Sequence, residues 1–248
     1  MEKKRQIAAV LILLALIGVI AYRHSTGKDL EKYEASFFDV FDTQTQIIGY
    51  ASSKEQFSEQ MSLIKDKFQY YNDLYDIYHD YEGMNNIKTI NDNAGIQPVK
   101  VDEEIIELLK LGITMDEKTD GNMNIAMGSV LSIWHDYREA GSEDPYSAEL
   151  PPMDELERAA EHTDIHNIVI DEEASTVYLT DPDMSLDVGS IGKGYAVQKV
   201  AEYAKNELGI RYMLFSVGGN VCAIGGHPDG SAWAVGIQNP DVESDQAY

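Results

Sequence analysis

The chain has 248 residues, of which 44% are hydrophobic and 25% are charged, and its formal net charge at pH 7 is -24. So acidic a protein is not suited to bind nucleic acid or an anionic membrane face through its charge, because both surfaces are also negative. Its only cysteine, Cys222, excludes a disulfide bond within the chain.

The first residues combine a basic head with an apolar run. Lys3, Lys4 and Arg5 precede the run from Ile7 to Tyr22, a pattern shared by membrane anchors and secretory signals. An uncleaved anchor is favoured over a removed signal, because no small-residue cleavage site is clear and no nearby cysteine offers a lipidation site.

The positive-inside rule orients this anchor with its basic head in the cytoplasm and the acidic domain outside the cell. We therefore expect a signal anchor over residues 1–24, a polar tether over residues 25–36 and one domain over residues 37–248. That last stretch is long enough to bury its own core. The protein is then expected at the cell membrane, with its domain extracytoplasmic.

Helical periodicity dominates the first half of that domain. Strand-forming residues at 37–51 precede a long amphipathic helix whose apolar positions follow each other in steps of three and four. These positions are Phe57, Met61, Ile64, Phe68, Tyr71, Tyr75 and Tyr78. Tyr78 and Tyr81 lie where this helix frays into a polar loop at residues 79–91, and an aromatic side chain at such an edge can stack on a planar ligand.

A second helix is predicted from Asp102, a good N-cap residue, to about Thr119. A polar turn at residues 120–124 follows, which either offers backbone amides to a ligand or simply joins two helices. Farther along, the pattern predicts a surface loop at residues 141–152, a short helix at residues 153–162 and a hairpin at residues 168–179.

The stretch from Ser185 to Asn220 organises the rest of the chain. It predicts a strand that ends at Asp187, a glycine turn, a helix that stops at Gly209 and a second strand at residues 212–217. The predicted unit is therefore strand, helix, strand.

The start of this last helix carries the strongest chemical signal. Glycines at positions 189, 192 and 194 surround Lys193, so that backbone N–H groups, the positive end of the helix dipole and an ammonium group converge. Such a spot suits a phosphate, although a tight turn with a solvent-facing lysine has the same pattern. These residues do not match a P-loop, because the first glycine of that motif is missing. They do not match a Rossmann fingerprint either, because its glycine spacing is reversed here.

Five segments, taken in order, resemble the FAD:protein FMN transferases, which are the ApbE-type flavin transferases. They are Asp42-Thr43-Gln44 after a strand, Tyr78 and Tyr81 before the polar loop, residues 119–124 before Trp134, LDVGSIGKGYAV at residues 186–197, and FSVGGNVCAIGGHPDGSAWAVGIQNP at residues 215–240. The resemblance implies an α+β, T-fold-related flavin transferase domain behind the anchor, and it favours phosphate binding at the Lys193 turn.

Site residues follow from the resemblance position by position. Those that match flavin-nucleotide contacts are Phe41, Tyr78, Asn122, Met123, Asn124, Asp187 and Lys193. In the family, the counterpart of Asp187 contacts the adenine portion of FAD, and the position of Ser190 supplies a backbone carbonyl to Mg²⁺. Tyr81 is a second match for the tyrosine, Asn124 replaces a family carboxylate, and Phe41 replaces a methionine.

The catalytic side chains are expected beyond Tyr248. Family domains continue past the Gln-Asn-Pro strand with an Asp and a Thr that bind the catalytic Mg²⁺, so we expect the C-terminal part of the domain to be missing from this sequence. The six histidines show no metal-ligand pattern along the chain.

The reaction implied by the resemblance is Mg²⁺-dependent transfer of FMN from FAD to a Thr or Ser hydroxyl of a target protein, with release of AMP. The implied acceptor is an extracytoplasmic subunit of an Rnf/Nqr-like redox complex. An FAD pyrophosphatase that yields FMN and AMP, and a non-catalytic FAD-binding protein, are the alternatives.

Overall fold

The computed structural model describes residues 14–18, 30–237 and 239. The anchor predicted over residues 1–24 lies outside the described residues except for a short, exposed helical stretch at residues 14–18. Within the described part of the chain, we find no helix with the length and apolar character that a membrane crossing requires. The chain divides into two compact units, which we call the sheet unit (Met1–Asp66 and Val197–Tyr248) and the central unit (Lys67–Ala196).

The sheet unit contains a four-stranded antiparallel sheet. Its strands are β1 (Glu31–Val40), β2 (Thr43–Ala51), β6 (Met213–Val217) and β7 (Asn220–Ile224), and they lie in the order β1-β2-β6-β7. Ile47 of β2 lies opposite Phe215 of β6, and both side chains are fully buried. Since side chains alternate between the two faces of a strand, one face of the sheet forms the core of this unit.

The tether predicted over residues 25–36 is wrong from Glu31 onward, because residues 31–36 pair with β2 as the first half of β1. Exposed charged residues such as Glu34 alternate with half-buried ones in this edge strand, so the segment looks like a polar linker in sequence. The strand signal at residues 37–51 divides into two strands around Phe41 and Asp42. Both of these residues have positive φ, 54° and 49°, as the two central residues of a tight hairpin turn require.

The central unit combines helices with a small sheet. Between residues 30 and 237 the α-helices are α1 (Lys54–Tyr75), α2 (Ile87–Asp92), α3 (Glu103–Lys118), α4 (Gly128–Glu143), α5 (Met153–Ala160) and α6 (Gly192–Asn206), of which α1 and α6 each contribute residues to both units. Strands β3 (Val99–Lys100), β4 (Ile168–Asp171) and β5 (Thr176–Leu179) form an antiparallel sheet in the order β3-β5-β4. The predicted hairpin at residues 168–179 is thereby confirmed.

Helix ends follow the local sequence closely. The Asp102 carboxylate accepts the Glu104 N–H at 3.0 Å and α3 ends at Lys118, so the predicted cap and length are confirmed. Gly209 has φ 66° just beyond α6, in the left-handed region that a helix-terminating glycine adopts. The loop predicted at residues 79–91 is wrong in its second half, because buried Asn86 caps α2 from Ile87 onward.

The residues predicted to form a strand ending at Asp187 belong to none of the strands in the described part of the chain. Leu186 is buried, and its N–H and carbonyl bond to the side chain of Asn91 at 2.7 and 3.0 Å. The Asp187 N–H donates to the Ile125 carbonyl at 2.9 Å, and the Gly128 N–H donates to the Ser185 carbonyl at 3.0 Å. The Asn91 side chain, a loop carbonyl and the first N–H of α4 thus satisfy the groups that a neighbouring strand would otherwise pair. The predicted strand, helix, strand unit is therefore correct only in its helix and second strand.

Candidate functional site

The central unit contains an open cavity of about 490 Å³. Its wall consists of Tyr78, Leu131, Trp134, His135, Tyr137, Arg138, Gly141, Ala148, Glu149 and Asp187. Aromatic faces, one guanidinium group and two carboxylates therefore converge on one space. This composition suits a planar, polar ligand, because the rings can stack on it while the charged groups fix its orientation.

Helix α4 supplies most of this wall through one of its faces. Leu131, Trp134 and Arg138 follow each other at helical spacing and so project to the same side. Trp134 is 43% exposed, so a face of its indole ring is accessible to a ligand in the cavity. This face was not assigned to the site from the sequence, although Leu131, Trp134 and Arg138 form a visible stripe at helical spacing.

A short chain of contacts orders the ring of Tyr78. Its centroid lies 5.0 Å from that of His135, and its hydroxyl lies 3.4 Å from His135 Nδ1. Arg138 donates to the same Nδ1 at 2.7 Å, and His135 Nε2 contacts Glu139 at 3.0 Å. Since a guanidinium only donates, His135 accepts at Nδ1 and carries its proton on Nε2.

Tyr78 and Asp187, both predicted from the resemblance, lie in the wall of this one cavity. Burial first, and then the negative charge of Asp187, raise the pKa of Tyr78, so its phenol is protonated at neutral pH. Tyr81, the second match for this position, donates its hydroxyl to Asp76 at 2.7 Å instead. The geometry therefore favours Tyr78 over Tyr81 as the site tyrosine.

The turn between Asp187 and α6 uses several of its own N–H groups. Asp187 Oδ1 accepts the Gly189 N–H at 2.8 Å, while the Val188 carbonyl accepts the N–H groups of Ile191 and Gly192 at 3.1 and 2.7 Å. The expectation that unpaired N–H groups converge here is thus wrong for these three residues. Lys193 is partly exposed at the second position of α6, where the positive end of the helix dipole adds to its charge.

The predicted contacts at residues 122–124 serve the local fold. Asn124 donates to the Thr163 carbonyl at 2.8 Å and accepts the Ala126 N–H at 2.7 Å, so its amide side chain braces two loops. A carboxylate in its place lacks the donor for Thr163. Asn122 donates to the Thr119 carbonyl at 2.6 Å, and the Met123 N–H donates to the Thr119 hydroxyl at 3.0 Å. None of these three residues lines the cavity.

The two remaining predicted residues, Phe41 and Ser190, are not among the residues that line the cavity. Phe41 is half-buried at the β1–β2 turn of the sheet unit. Ser190 is exposed in the turn before α6. Within the described residues, the one His and carboxylate group with metal-ligand spacing is His162, Asp181 and Asp183, which does not include Ser190.

Comparison with known proteins identifies the family to which the chain belongs. A model of the ApbE family matches residues 41–248. The FAD:protein FMN transferase of Escherichia coli (strain K12) is 26% identical over 180 residues, which cover 71% of this chain and 50% of that protein. One from Klebsiella pneumoniae (strain 342) is 25% identical over 205 residues, which cover 83% and 60%. The chain thus spans about half to three fifths of the length of these relatives.

Solved structures show the same fold. The flavin transferase ApbE from Vibrio cholerae has a TM-score of 0.72 at 20% identity, over 88% of this chain and 67% of that one. The ApbE protein from Thermotoga maritima has a TM-score of 0.71 at 25% identity, over 86% and 65%. The predicted α+β class is confirmed by these matches, and with the family match to residues 41–248 they establish that the chain belongs to the ApbE family.

Proposed function

We propose that the protein transfers FMN from FAD to a Thr or Ser hydroxyl of a target protein and releases AMP. The observation that carries this proposal is the meeting of Tyr78 and Asp187 in one aromatic cavity, in a chain that belongs to the ApbE family. The curated relatives named above are FAD:protein FMN transferases. The activity proposed here is that of the whole protein.

The cavity has the chemistry to bind one of the two ring systems of FAD. Tyr78 and Trp134 offer faces for stacking, and Arg138 retains guanidinium N–H groups beyond the one that it donates to His135. In this proposal, Asp187 holds the adenine portion, and Lys193 at the start of α6 faces the diphosphate. A phosphate beside a helix N-terminus and a lysine is stabilised by the dipole and by charge-assisted hydrogen bonds.

The proposed reaction is a phosphoryl transfer. The acceptor oxygen forms a bond to the phosphorus of the FMN half, the bond from that phosphorus to the bridging oxygen breaks, and AMP leaves with that oxygen. The acceptor hydroxyl loses its proton, which passes to the phosphate of the departing AMP or to water. Lys193 stabilises the negative charge that develops on the leaving group, an electrostatic contribution that needs no reorganisation when the residue is already in place.

A requirement for Mg²⁺ is part of the proposal, because such a metal ion neutralises charge on a diphosphate that is being cleaved. A backbone carbonyl at Ser190 is one oxygen ligand, whereas a bound Mg²⁺ needs six. The described residues do not assemble a carboxylate cluster around Ser190, so they do not by themselves form this metal site. The requirement is therefore tested by chelation with EDTA and re-addition of Mg²⁺.

The proposed acceptor is an extracytoplasmic subunit of an Rnf/Nqr-like redox complex. The support for this location is the basic head and apolar run of the first 22 residues, which orient the acidic domain outside the cell. Protease treatment of intact cells is expected to remove the domain. Protection in intact cells with cleavage only after lysis contradicts the orientation.

Flavin transfer is measured directly by co-expression with an acceptor protein, followed by in-gel fluorescence of covalently bound flavin. We expect a fluorescent acceptor band together with one AMP for each flavin attached. Release of FMN and AMP without labelling identifies a pyrophosphatase instead. Binding of FAD without either product identifies a non-catalytic flavin-binding protein.

A further inference from the structure

The segment that carries Tyr78 is a tightly closed loop between α1 and α2. Fully buried Asn86 donates its side-chain amide to the carbonyls of Asp73 and His79 at 3.1 and 2.9 Å, while it also caps α2. The Lys88 N–H donates to the Asp76 carbonyl at 3.0 Å. Both ends of the loop are therefore fixed to each other, and its conformation depends on the contacts inside it.

The carboxylate of Asp76 makes most of those inner contacts. Its Oδ1 accepts the N–H groups of Tyr78 and His79 at 2.6 and 3.3 Å, and its Oδ2 contacts the Tyr81 hydroxyl and His79 Nδ1 at 2.7 and 2.9 Å. The side chain of Asp76 is only 10% exposed. An Asp that accepts the N–H two residues ahead sets a defined turn, so this one carboxylate determines the backbone direction at Tyr78.

Charge reinforces the arrangement. Burial acts to raise the pKa of Asp76, but the hydrogen bonds from Tyr78, Tyr81 and His79 outweigh it, and the pKa lies below its usual value. Asp76 is therefore ionised at neutral pH and accepts strong, charge-assisted hydrogen bonds.

The ring of Tyr78 is much more exposed than the carboxylate of Asp76. It is 53% exposed and contacts His135 across the cavity wall. An exposed ring loses conformational freedom when it stacks on a ligand, and a backbone already fixed in the bound direction reduces that loss.

We propose that Asp76 is a positioning residue that presents Tyr78 to the bound flavin nucleotide, without contacting that ligand itself. This inference rests on the proposed function, because it requires FAD in the cavity. Asp76 is not among the residues that line the cavity. Its effect on binding therefore passes through Tyr78.

The test is a double-mutant cycle in which the dissociation constant for FAD is measured by flavin fluorescence in the intact protein. Asp76→Asn keeps an oxygen for the Tyr78 N–H but loses an acceptor for Tyr81, and we expect about threefold weaker FAD binding. Asp76→Ala loses all the hydrogen bonds of the carboxylate, and we expect about tenfold weaker FAD binding. In a Tyr78→Ala background, Asp76→Asn should have no further effect, because coupled residues are not additive.

The sign of the effect separates positioning from simple electrostatics. Removal of a negative charge strengthens binding of an anionic diphosphate, so weaker binding cannot come from charge alone. The matched control is Asp80→Asn in the same loop, which removes the same charge from an exposed side chain paired with Lys88 and should not weaken binding. Thermal melting checks that each variant is folded, and Asp76→Asn retains the test if Asp76→Ala does not fold.

The possible outcomes separate a failure of the positioning role of Asp76 from a failure of the proposed flavin site. If Tyr78→Ala weakens binding but Asp76→Asn does not, or if the two effects add fully, Asp76 is not a positioning residue and the proposed function stands. If wild-type protein does not bind FAD, or Tyr78→Ala binds it equally well, the cavity is not the flavin site and both proposals are wrong.

Discussion

Residues 185–187 and strand β6 lie on either side of α6 in the sequence, and their backbone groups form hydrogen bonds with different kinds of partners. Strand β6 pairs with β2 on one side and β7 on the other, so that its backbone groups belong to a regular ladder. In residues 185–187 only Leu186 is buried, and the backbone partners of the segment are the Asn91 side chain, Ile125 and Gly128.

This difference predicts how the backbone hydrogen bonds of each segment respond to a side-chain substitution. In β6 the hydrogen bonds are backbone to backbone, so the exchange of one side chain leaves them in place. In residues 185–187 both backbone groups of Leu186 depend on the side chain of Asn91, and this segment carries Asp187 into the cavity wall. Loss of one partner side chain should therefore break backbone hydrogen bonds at Leu186, whereas loss of an exposed side chain opposite β6 should leave the backbone hydrogen bonds of β6 in place.

The largest effect is expected from Asn91→Ala. The substitution leaves the buried N–H and carbonyl of Leu186 without partners, at a cost of about 1–3 kcal/mol for each group. Urea denaturation should show this loss of unfolding free energy. The matched control is Gln46→Ala in β2, opposite Ser216 of β6, which should change stability by no more than about 0.5 kcal/mol. Equal losses for the two variants contradict the comparison.

The next effect is expected from Gly128→Ala. A Cβ at position 128 lies 2.4 Å from Ser185 Oγ and 2.6 Å from the Ser185 carbonyl oxygen, so α4 must move away from the segment that it contacts. We expect a loss of about 1–3 kcal/mol in unfolding free energy and weaker FAD binding. Gly192→Ala is the control, because its Cβ meets Val188 only at 3.5 Å. A normal melting temperature for Gly128→Ala contradicts this close packing.

A smaller and more selective effect is expected from Lys193→Ala. The lysine supports little core, so FAD binding or transfer should fall by about tenfold or more with nearly unchanged thermal stability. Lys193→Arg should recover only part of the loss if a compact charge is needed at the crowded turn. Titration of the apo-protein with FAD measures this. Wild-type binding by the alanine variant means that the glycine turn is only structural.

The smallest effect concerns the residues that precede this segment. The hydrogen bond between His162 and Asp181, 2.9 Å long, raises the pKa of His162 above its ordinary 6.5 and lowers that of Asp181 below 3.8. The contribution of His162 to stability is lost as pH rises through its raised pKa. The contribution of Asp181 is lost as pH falls through its lowered pKa. The pair therefore stabilises the fold most between pH 3.8 and pH 6.5. NMR titration should show the His162 pKa returning toward 6.5 in Asp181→Asn; an unchanged titration contradicts the pairing.

Local patterns predicted the regular elements of this fold well. Asp102 and Gly209 mark helix ends because capping is chemistry between neighbouring residues. The pairing of residues 185–187 escaped prediction, because its partner Asn91 lies 95 residues earlier and makes the bond through a side chain. The first half of β1, residues 31–36, escaped because an edge strand with one exposed, charged face resembles a linker.

The candidate site was predicted unevenly for a similar reason. Tyr78, Asp187 and Lys193 belong to short motifs that are visible in sequence. The α4 face with Trp134, His135 and Arg138 becomes a wall only when the loops before and after it fold over the same space. Asn124 was predicted as a ligand contact, but its amide is used by two loop backbones.

The exposed tryptophan in the cavity wall gives the protein an optical reporter. The chain has two tryptophans: Trp134 lies in the central unit, and Trp233 lies in the sheet unit beside His227, with ring centroids 4.1 Å apart. A flavin in the cavity should quench the emission of Trp134 through energy transfer. Trp134→Phe leaves Trp233 as the single emitter, so subtraction of the two spectra isolates the signal of the cavity and follows occupancy without any added dye.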